Sequence, residues 1–299
     1  MEDNEKVWYK VFERVSKDYE YVISRDPSKS EDVKAFLGSV GVELLKRGKS
    51  KFALKCFEEI ARIFPDKETI GTIGVTLIQG GLYEEALKYF EKYIEIDSND
   101  ARGWGGKGIA LSNLGRDDEA IRCCEKALEI DPRLKGATHT LMALYYRKGD
   151  YEALSTLAQR ALQFDPSDIK AHLMLSETLA LSGKLIEGEA EAQKALEILL
   201  QKEYVNPEDL SEVHKQLGII YAMRGHREKA INAFKEAVRI NQRDQEGYKL
   251  LDAYLILDMM GLAMVGTPLE RRARLLALAK KRAVTYSSFA EWEAQWEGV

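Results

Sequence analysis

Disulfide-forming cysteine patterns, long apolar runs and an excess of positive charge are all missing from this chain of 299 residues. Its three cysteines form neither a disulfide framework nor paired zinc-binding spacings, so we expect buried thiols in a reducing compartment. The most apolar stretch, residues 250–265, contains two aspartates and is short for a membrane span. The first ten residues, MEDNEKVWYK, lack the pattern of a secretory signal. These absences argue against secreted and membrane-spanning classes and predict a cytoplasmic protein.

The overall composition is that of a folded chain with a sizeable core. Hydrophobic residues make up 45% of the sequence and charged residues 31%, and prolines number only six. The 44 lysines and arginines are outnumbered by 49 acidic residues, which gives a net charge of −5. A chain with this balance is not expected to bind nucleic acid as a whole.

Glycine recurs at a nearly constant interval. Six glycines are separated by 33, 34, 34, 34 and 42 residues, and they are Gly48, Gly81, Gly115, Gly149, Gly183 and Gly225. A second glycine precedes four of these by seven residues, and an alanine follows four of them by five. Two apolar-periodic segments of about 13–15 residues flank each of the six, which predicts two helices joined by a glycine turn.

The two glycine series predict different structural roles. Gly48 and its equivalents are expected to end the first helix of each unit in a left-handed conformation, because glycine lacks the Cβ that clashes there. The glycine inside the first helix, for example Gly108, costs helix propensity. We therefore expect a neighbouring helix to pack against its bare backbone, with the small alanine of the second helix, here Ala120, at the gap.

This pattern resembles the tetratricopeptide repeat family. The clearest copy, GWGGKGIALSNLGRDDEAIRCCEKALEIDP at residues 103–132, matches the family motif at Trp104, Gly108, Leu111, Gly115, Ala120, Ala127 and Pro132. The resemblance covers residues 34–244 as six copies. It implies an all-α, right-handed α-solenoid of helix-turn-helix repeats with a concave inner face. It does not by itself imply an activity.

We predict three regions along the chain. Residues 1–33 form an N-terminal capping helix, over residues 4–24, and a linker. Residues 34–244 form the six repeats, with an eight-residue insertion before the last that is either a tolerated loop or a lip on the groove. Residues 245–299 form divergent C-terminal capping helices. Thr267, Pro268 and Glu270 have the spacing of a capping box with proline at the first helical position.

No catalytic motif is present in the sequence. Phosphate-binding loops, nucleophile elbows and metalloprotease motifs are absent, and the glycines at residues 103–108 begin a repeat helix that no strand precedes. His172 and His214 occupy the slot that Trp104 fills in the clearest copy, so we expect them to pack between repeats. We predict no cofactor, no metal and no enzymatic activity.

The concave face is the usual ligand site in the family that the chain resembles. The repeat register places on it Val42, Lys46, Val75, Gln79, Ile109, Asn113, His139, Arg147, Glu177 and Lys215. In the first three copies this face is small and apolar, which fits an apolar segment of a protein or peptide partner. Tight packing between repeats is the alternative explanation for the same residues. A protein-interaction scaffold is therefore our first functional prediction.

Family members that grip the C-terminal carboxylates of chaperones use lysines, arginines and asparagines in defined slots. In the first three copies those slots hold Gly38, Val42, Thr72, Arg102 and Gly106. Without paired cations a carboxylate would be poorly held. We expect no binding of this carboxylate-clamp kind.

The C-terminal region offers two further alternatives. Residues 268–282 carry six cations and one acid, which fits either the charged outer face of a cap or a site for RNA or an anionic surface. Phe289, Trp292 and Trp296 share one helical face. They either cover the apolar helix at residues 248–262 or form an exposed patch for homo-oligomerisation.

Overall fold

The computed structural model describes residue 18, residues 21–283 and residues 285–296. The secondary structure of these residues is helical, with helices joined by turns and short loops and with no strand, which confirms the all-α, helical-repeat class. The α-helices are α1 Ser30–Lys46, α2 Ser50–Ile63, α3 Lys67–Gln79, α4 Tyr83–Ile96, α5 Ala101–Asn113, α6 Asp117–Ile130, α7 Lys135–Lys148, α8 Tyr151–Phe164, α9 Ile169–Leu181, α10 Leu185–Leu200, α11 Pro207–Arg224, α12 Arg227–Ile240, α13 Gln245–Met259, α14 Pro268–Lys281 and α15 Phe289–Trp296. Most of the capping helix predicted for residues 4–24 lies outside the described residues.

The chain divides into two compact units, Met1–Leu144 and Tyr145–Val299, which we call the N-terminal unit and the C-terminal unit. In the N-terminal unit, α1 packs on α2, α3 on α4 and α5 on α6. In the C-terminal unit, α9 packs on α10 and α11 on α12, and α13 then packs on α12 and α14. Each repeat is thus a pair of consecutive helices.

Among the described residues, no helix combines the length and hydropathy needed to cross a bilayer.

The glycine turns have the predicted backbone geometry. All six glycines of the first series adopt a positive φ, between 69° at Gly48 and 83° at Gly183. At the end of α11, the amide of His226 donates to the carbonyl of Tyr221 at 2.8 Å across Gly225. This bond satisfies a carbonyl that the helix would otherwise leave unpaired. The predicted left-handed helix ends are confirmed.

The glycines inside the first helices pack mainly against a residue that the sequence analysis did not name. A Cβ at Gly41 would lie 2.7 Å from the Phe57 ring, and a Cβ at Gly218 would lie 2.5 Å from the Phe234 ring. The gap is therefore filled by the larger side chain four residues after the alanine. At Gly108 the predicted alanine is also present at the gap, since a Cβ there would lie 3.3 Å from the Ala120 carbonyl oxygen and 2.5 Å from the Cys124 sulfur.

The fifth copy exchanges the two small positions. Ser176 stands in the glycine slot of the first helix, and Gly188 stands in the alanine slot of the second. The Ser176 hydroxyl donates to the Gly188 carbonyl at 2.7 Å, and a Cβ at Gly188 would lie 2.8 Å from the Ser176 carbonyl oxygen. The two helices of this repeat, α9 and α10, therefore approach as closely as in the other copies. Here the glycine that permits the approach lies on the second helix instead of the first.

Aspartates in the closing turns begin several first helices. The Asp66 carboxylate accepts from the Thr69 amide at 2.8 Å, and that of Asp168 accepts from the Ala171 amide at 3.1 Å. These bonds satisfy amides of the first helical turn. At α14 the predicted capping box is confirmed, since the Thr267 amide donates to the Glu270 carboxylate at 2.7 Å and the Glu270 amide to the Thr267 hydroxyl at 3.3 Å.

The three cysteines are free and buried, as predicted. Cys56 lies on α2, and Cys123 and Cys124 lie on α6. Cys124 fills the gap at Gly108, where a Cβ would lie 2.5 Å from its sulfur. These thiols are part of the packing between the helices of the N-terminal unit.

Candidate partner-binding groove

A concave pocket of about 640 Å³ opens in the N-terminal unit. It is formed by α3, by α5 and by the residues around the start of α7. We call it the N-terminal groove, and its lining is Glu68, Gly71, Thr72, Val75, Thr76, Ile78, Gln79, Phe90, Tyr93, Arg102, Gly105, Gly106, Ile109, Leu134, Gly136 and Ala137. A smaller cavity of about 270 Å³ adjoins it and shares Glu68, Thr72 and Thr76.

Two almost fully buried aromatic rings pack against glycines beneath this groove. At Gly71 a Cβ would lie 2.8 Å from the Tyr93 ring, and at Gly106 a Cβ would overlap the Phe90 ring. Both rings rise from α4 and reach the groove because α3 and α5 have no side chain at these positions. Val75 is 49% exposed and Ile109 is half-buried. The groove therefore combines an aromatic floor with aliphatic walls.

The cations near the groove are paired with carboxylates. The Arg102 guanidinium donates to Asp100 at 2.7 Å, and the Lys67 ammonium lies 3.0 Å from the same carboxylate and 2.7 Å from Asp97. Hydrogen bonds from Arg102 and Lys67 hold the pKa of Asp100 well below its usual value, despite its partial burial. The Tyr93 hydroxyl also donates to Asp100 at 2.8 Å, and burial raises the pKa of Tyr93 to about 12. Arg102, the arginine of the groove lining, is thus already hydrogen-bonded to the Asp100 carboxylate.

The structure brings three of the predicted residues together in this groove. Val75, Gln79 and Ile109 line it, and Asn113 lies exposed at the end of the same helix as Ile109, with its side-chain amide donating to the Ile109 carbonyl at 2.9 Å. The other predicted residues on α1 and α7 lie outside its lining. Those residues are the half-buried Val42 and His139 and the exposed Lys46 and Arg147.

Lys215 corrects the predicted set. The sequence register places it on the concave face, but its side chain is only 8% exposed and turns toward acids. Its ammonium lies 2.8 Å from Glu212, 3.0 Å from Asp244 and 3.3 Å from Glu246. These acids raise the pKa of Lys215 above its usual value although burial opposes the shift. Lys215 joins two repeats and is not presented to a ligand.

Glu177 is bound by the chain's own basic helix. The Arg272 guanidinium on α14 pairs with the Glu177 carboxylate on α9, and the Tyr146 hydroxyl donates to that carboxylate at 2.9 Å. Both side chains of the ion pair are 15% exposed. The predicted groove position of the fifth repeat is therefore covered in this structure.

Most arginines of the basic helix have internal partners. Arg271 donates to the Met223 carbonyl at 3.1 Å, and Arg274 donates to the Leu262 carbonyl at 3.1 Å. Arg282, just after the helix, pairs with Asp252 at 3.0 Å. The density of positive charge that suggested an RNA or anionic-surface site is used largely to attach this segment to the C-terminal unit.

The aromatic tail covers its own chain. Phe289 and Trp292 are buried, Trp296 is half-buried, and all three pack in the core cluster that contains α13. The indole N–H groups of Trp292 and Trp296 donate to Asp252 at 2.8 and 2.9 Å. The cap interpretation therefore describes the structure, and the exposed patch required for self-association through these three residues is not present. Sequence reasoning missed Asp252 as the centre of this cap.

His172 packs against the turn that precedes its repeat, as predicted for this slot. The His172 ring nitrogens lie 2.7 Å from a Glu191 oxygen and 3.0 Å from the Pro166 carbonyl. Trp104 makes the equivalent bond, from its indole N–H to the Ser98 carbonyl at 2.9 Å. Within the described ranges, no group of three or more histidines, cysteines or acids is placed to hold a metal ion.

Comparisons with known proteins identify the repeat. Family models of the tetratricopeptide repeat match residues 68–100, 101–134 and 211–244. The Hsp70-Hsp90 organizing protein 1 of Glycine max is 25% identical over 157 residues, which are 52% of this chain and 27% of that protein. The chain spans only between 15% and 27% of the length of the curated relatives that it matches.

Solved structures share the fold. The crystal structure of the APC/C hetero-tetramer Cut9-Hcn1 matches 91% of this chain and 51% of that chain, with a TM-score of 0.62 and 16% identity. The thermophilic tetratricopeptide-repeat protein TTC0263 of Thermus thermophilus matches 64% of this chain and 100% of that chain, with a TM-score of 0.52 and 22% identity. At these identities the similarity extends to the fold alone.

Proposed function

Because the chain belongs to the tetratricopeptide-repeat family, we propose that it is a non-enzymatic scaffold that binds a segment of a partner protein in the N-terminal groove. The observation that carries this proposal is the groove's lining, in which the exposed Val75 and the half-buried Ile109 lie above an aromatic floor. Burial of apolar surface of this kind against a partner removes it from water and lowers the free energy of the complex. The buried thiols support the cytoplasmic location that we propose with it.

The partner segment that fits this groove is apolar and small in cross-section. The space beside Gly71, Gly105 and Gly106 is filled by the side chains of Tyr93, Leu134 and Phe90, so the groove is shallow there. The apolar surface that the groove offers to aliphatic side chains is that of Val75 and, in part, Ile109. Gln79 supplies a polar group at the edge that can fix the orientation of the segment. Burial of the partner's aliphatic side chains is the mechanism of binding, with few charged groups to specify it.

A C-terminal carboxylate is not the ligand that this groove favours. Arg102 is the cation of its lining, and that guanidinium is already hydrogen-bonded to Asp100. A carboxylate would have to compete with this internal acid for the same donors. We therefore propose recognition of an internal apolar segment, in contrast to the chaperone organisation indicated by the name of the soybean relative.

Val75→Glu combined with Ile109→Glu is expected to abolish partner binding without unfolding the chain. Val75 is 49% exposed, so the folded state tolerates a carboxylate there, whereas a docked apolar segment would have to bury it unpaired. The measurement is affinity capture from nuclease-treated lysate of the native host with wild type and variant, read by quantitative mass spectrometry. We expect at least a tenfold loss of the proteins that wild type retains.

A matched control separates groove binding from a general effect of added charge. Ile96→Glu places the same carboxylate at a position that is 52% exposed at the end of α4, outside the groove lining. This variant should retain the same proteins as wild type. Equal recovery with wild type and with a folded Val75→Glu/Ile109→Glu variant would refute the groove as the binding site.

A further inference from the structure

The basic helix α14 lies on first helices of the C-terminal unit. It packs against α13 and α11, and Arg272 extends from it to Glu177 on α9. These three helices are the first members of successive repeat pairs. An isolated C-terminal cap would have to cover only the last helix, whereas α14 extends back to the register position that a ligand would occupy in an earlier repeat.

The contact with α9 has the geometry of a site for arginine. Glu177 presents a carboxylate to the Arg272 guanidinium, and the Tyr146 hydroxyl donates to that carboxylate at 2.9 Å while lying 3.5 Å from the guanidinium. The tyrosine holds the carboxylate in place, and burial next to Glu177 raises the pKa of Tyr146. A half-buried carboxylate with a positioned hydroxyl is a strong acceptor for a planar, multidentate cation.

The helix that fills this site has a small apolar anchor. Of its 14 residues, Leu275 and Ala279 are buried, and Leu276 and Leu278 are partly buried against the same core cluster. Its polar anchors are Arg272 and the bond from Arg271 to the Met223 carbonyl. The connection before it contains Gly261 and Gly266 with φ of 69° and 82°, the left-handed conformation that glycine adopts without strain. A segment with few fully buried apolar groups opens locally at lower cost than the core does.

We propose that Glu177 and Tyr146 form a second binding site, which takes an arginine-bearing amphipathic helix of a partner protein and which α14 occupies within the chain as a removable substitute. Charge complementarity and the register of Arg272 define that partner. This site lies in the C-terminal unit and does not depend on binding in the N-terminal groove. A tethered helix acts at an effective concentration on the order of millimolar, so the site is closed until a tighter helix displaces α14.

The test uses a labelled peptide with the α14 sequence, TPLERRARLLALAKKRA, corresponding to residues 267–283. It is titrated by fluorescence anisotropy against the full chain and against the full chain with Arg272→Glu. That substitution releases the internal arginine and keeps Glu177 as the acceptor. We expect the variant to bind the peptide at least tenfold more tightly than wild type. In the charge-swapped chain Arg272→Glu/Glu177→Arg, the reversed ion pair should hold α14 in the site again, so this chain should bind the peptide no better than wild type.

Controls distinguish the site from general attraction between charges. A Lys280→Glu chain carries the same reversal at an exposed position of α14 and should behave as wild type. A peptide with the Arg272→Glu change should not bind the released chain. Should the Arg272→Glu chain fail to fold, the Arg272→Ala chain carries the same expectation. No gain in affinity in a folded Arg272 variant, or equal binding of both peptides, would overturn the proposal and leave α14 as a structural cap.

Discussion

Asp252→Ala is expected to lower the free energy of unfolding of the C-terminal unit by about 3–5 kcal/mol, the loss typical of removing one partner of a buried charge pair. Asp252 is fully buried on α13. Its carboxylate accepts from the indoles of Trp292 and Trp296, from the Tyr286 hydroxyl at 3.0 Å and from Arg282 at 3.0 Å. Removing it leaves a guanidinium and three polar hydrogens without their acceptor in a closed cap.

The measurement is urea unfolding followed by circular dichroism and tryptophan emission. Asp258→Ala is the matched control, because it removes a carboxylate from the same helix whose partner, Arg227, has a side chain that is 62% exposed. Exposed pairs contribute little, so this variant should lose far less stability. A loss at Asp252 no larger than the loss at Asp258 would contradict the role of Asp252 as the centre of the cap.

Gly106→Ala is expected to destabilise the N-terminal unit by about 1–3 kcal/mol, the usual penalty of overpacking. In an exposed helix the same change would stabilise by roughly 0.5–1 kcal/mol. Here the new methyl group would overlap the Phe90 ring, and Phe90 is itself almost fully buried and has little space into which to move. The sign of the change in unfolding free energy therefore shows whether the packing requires glycine at this position: a loss indicates that it does, and a gain indicates that it does not.

Gly38→Ala provides the comparison for this prediction. Gly38 lies inside α1, and among the described residues no atom beyond its chain neighbours and the nearby backbone of α1 lies within 4 Å of the place that an alanine methyl group would take, so alanine there should raise stability. Thermal and urea unfolding of the two variants should move in opposite directions. Adding Phe90→Leu to Gly106→Ala should recover part of the loss, because it shortens the side chain that the methyl group meets. Destabilisation by both alanines to the same extent would contradict the packing explanation.

The repeat architecture could be predicted from the sequence because its signals are local. Gly48 and Gly225 determine where helices end through the conformation of a single residue, and apolar periodicity determines where they lie. The predicted capping box at Thr267 was also correct, since its bonds span three residues. Val75 and Ile109 were placed on the groove by register alone, and the structure puts both in its lining.

The C-terminal unit could not be predicted in the same way because its contacts join distant parts of the chain. Asp252 was seen only as an interruption of an apolar stretch, although its partners Trp292 and Trp296 lie 40 and 44 residues later. Arg272 was part of an exposed-looking basic run until the structure paired it with Glu177, 95 residues earlier. Lys215 was assigned to the groove because a periodic pattern specifies a face of the helix but not the direction in which a long side chain turns.

Because the three thiols are buried, the rate at which a reagent labels them measures how often the N-terminal unit opens. Burial raises the pKa of Cys56 to about 11 and that of Cys124 to about 12, so the reactive thiolate is scarce while α2 and α6 remain packed. A thiol reagent added to the native protein must then wait for these helices to separate. Because the sequence has no cysteine after Cys124, the labelling rate measures opening of the N-terminal unit and gives no information on the C-terminal unit.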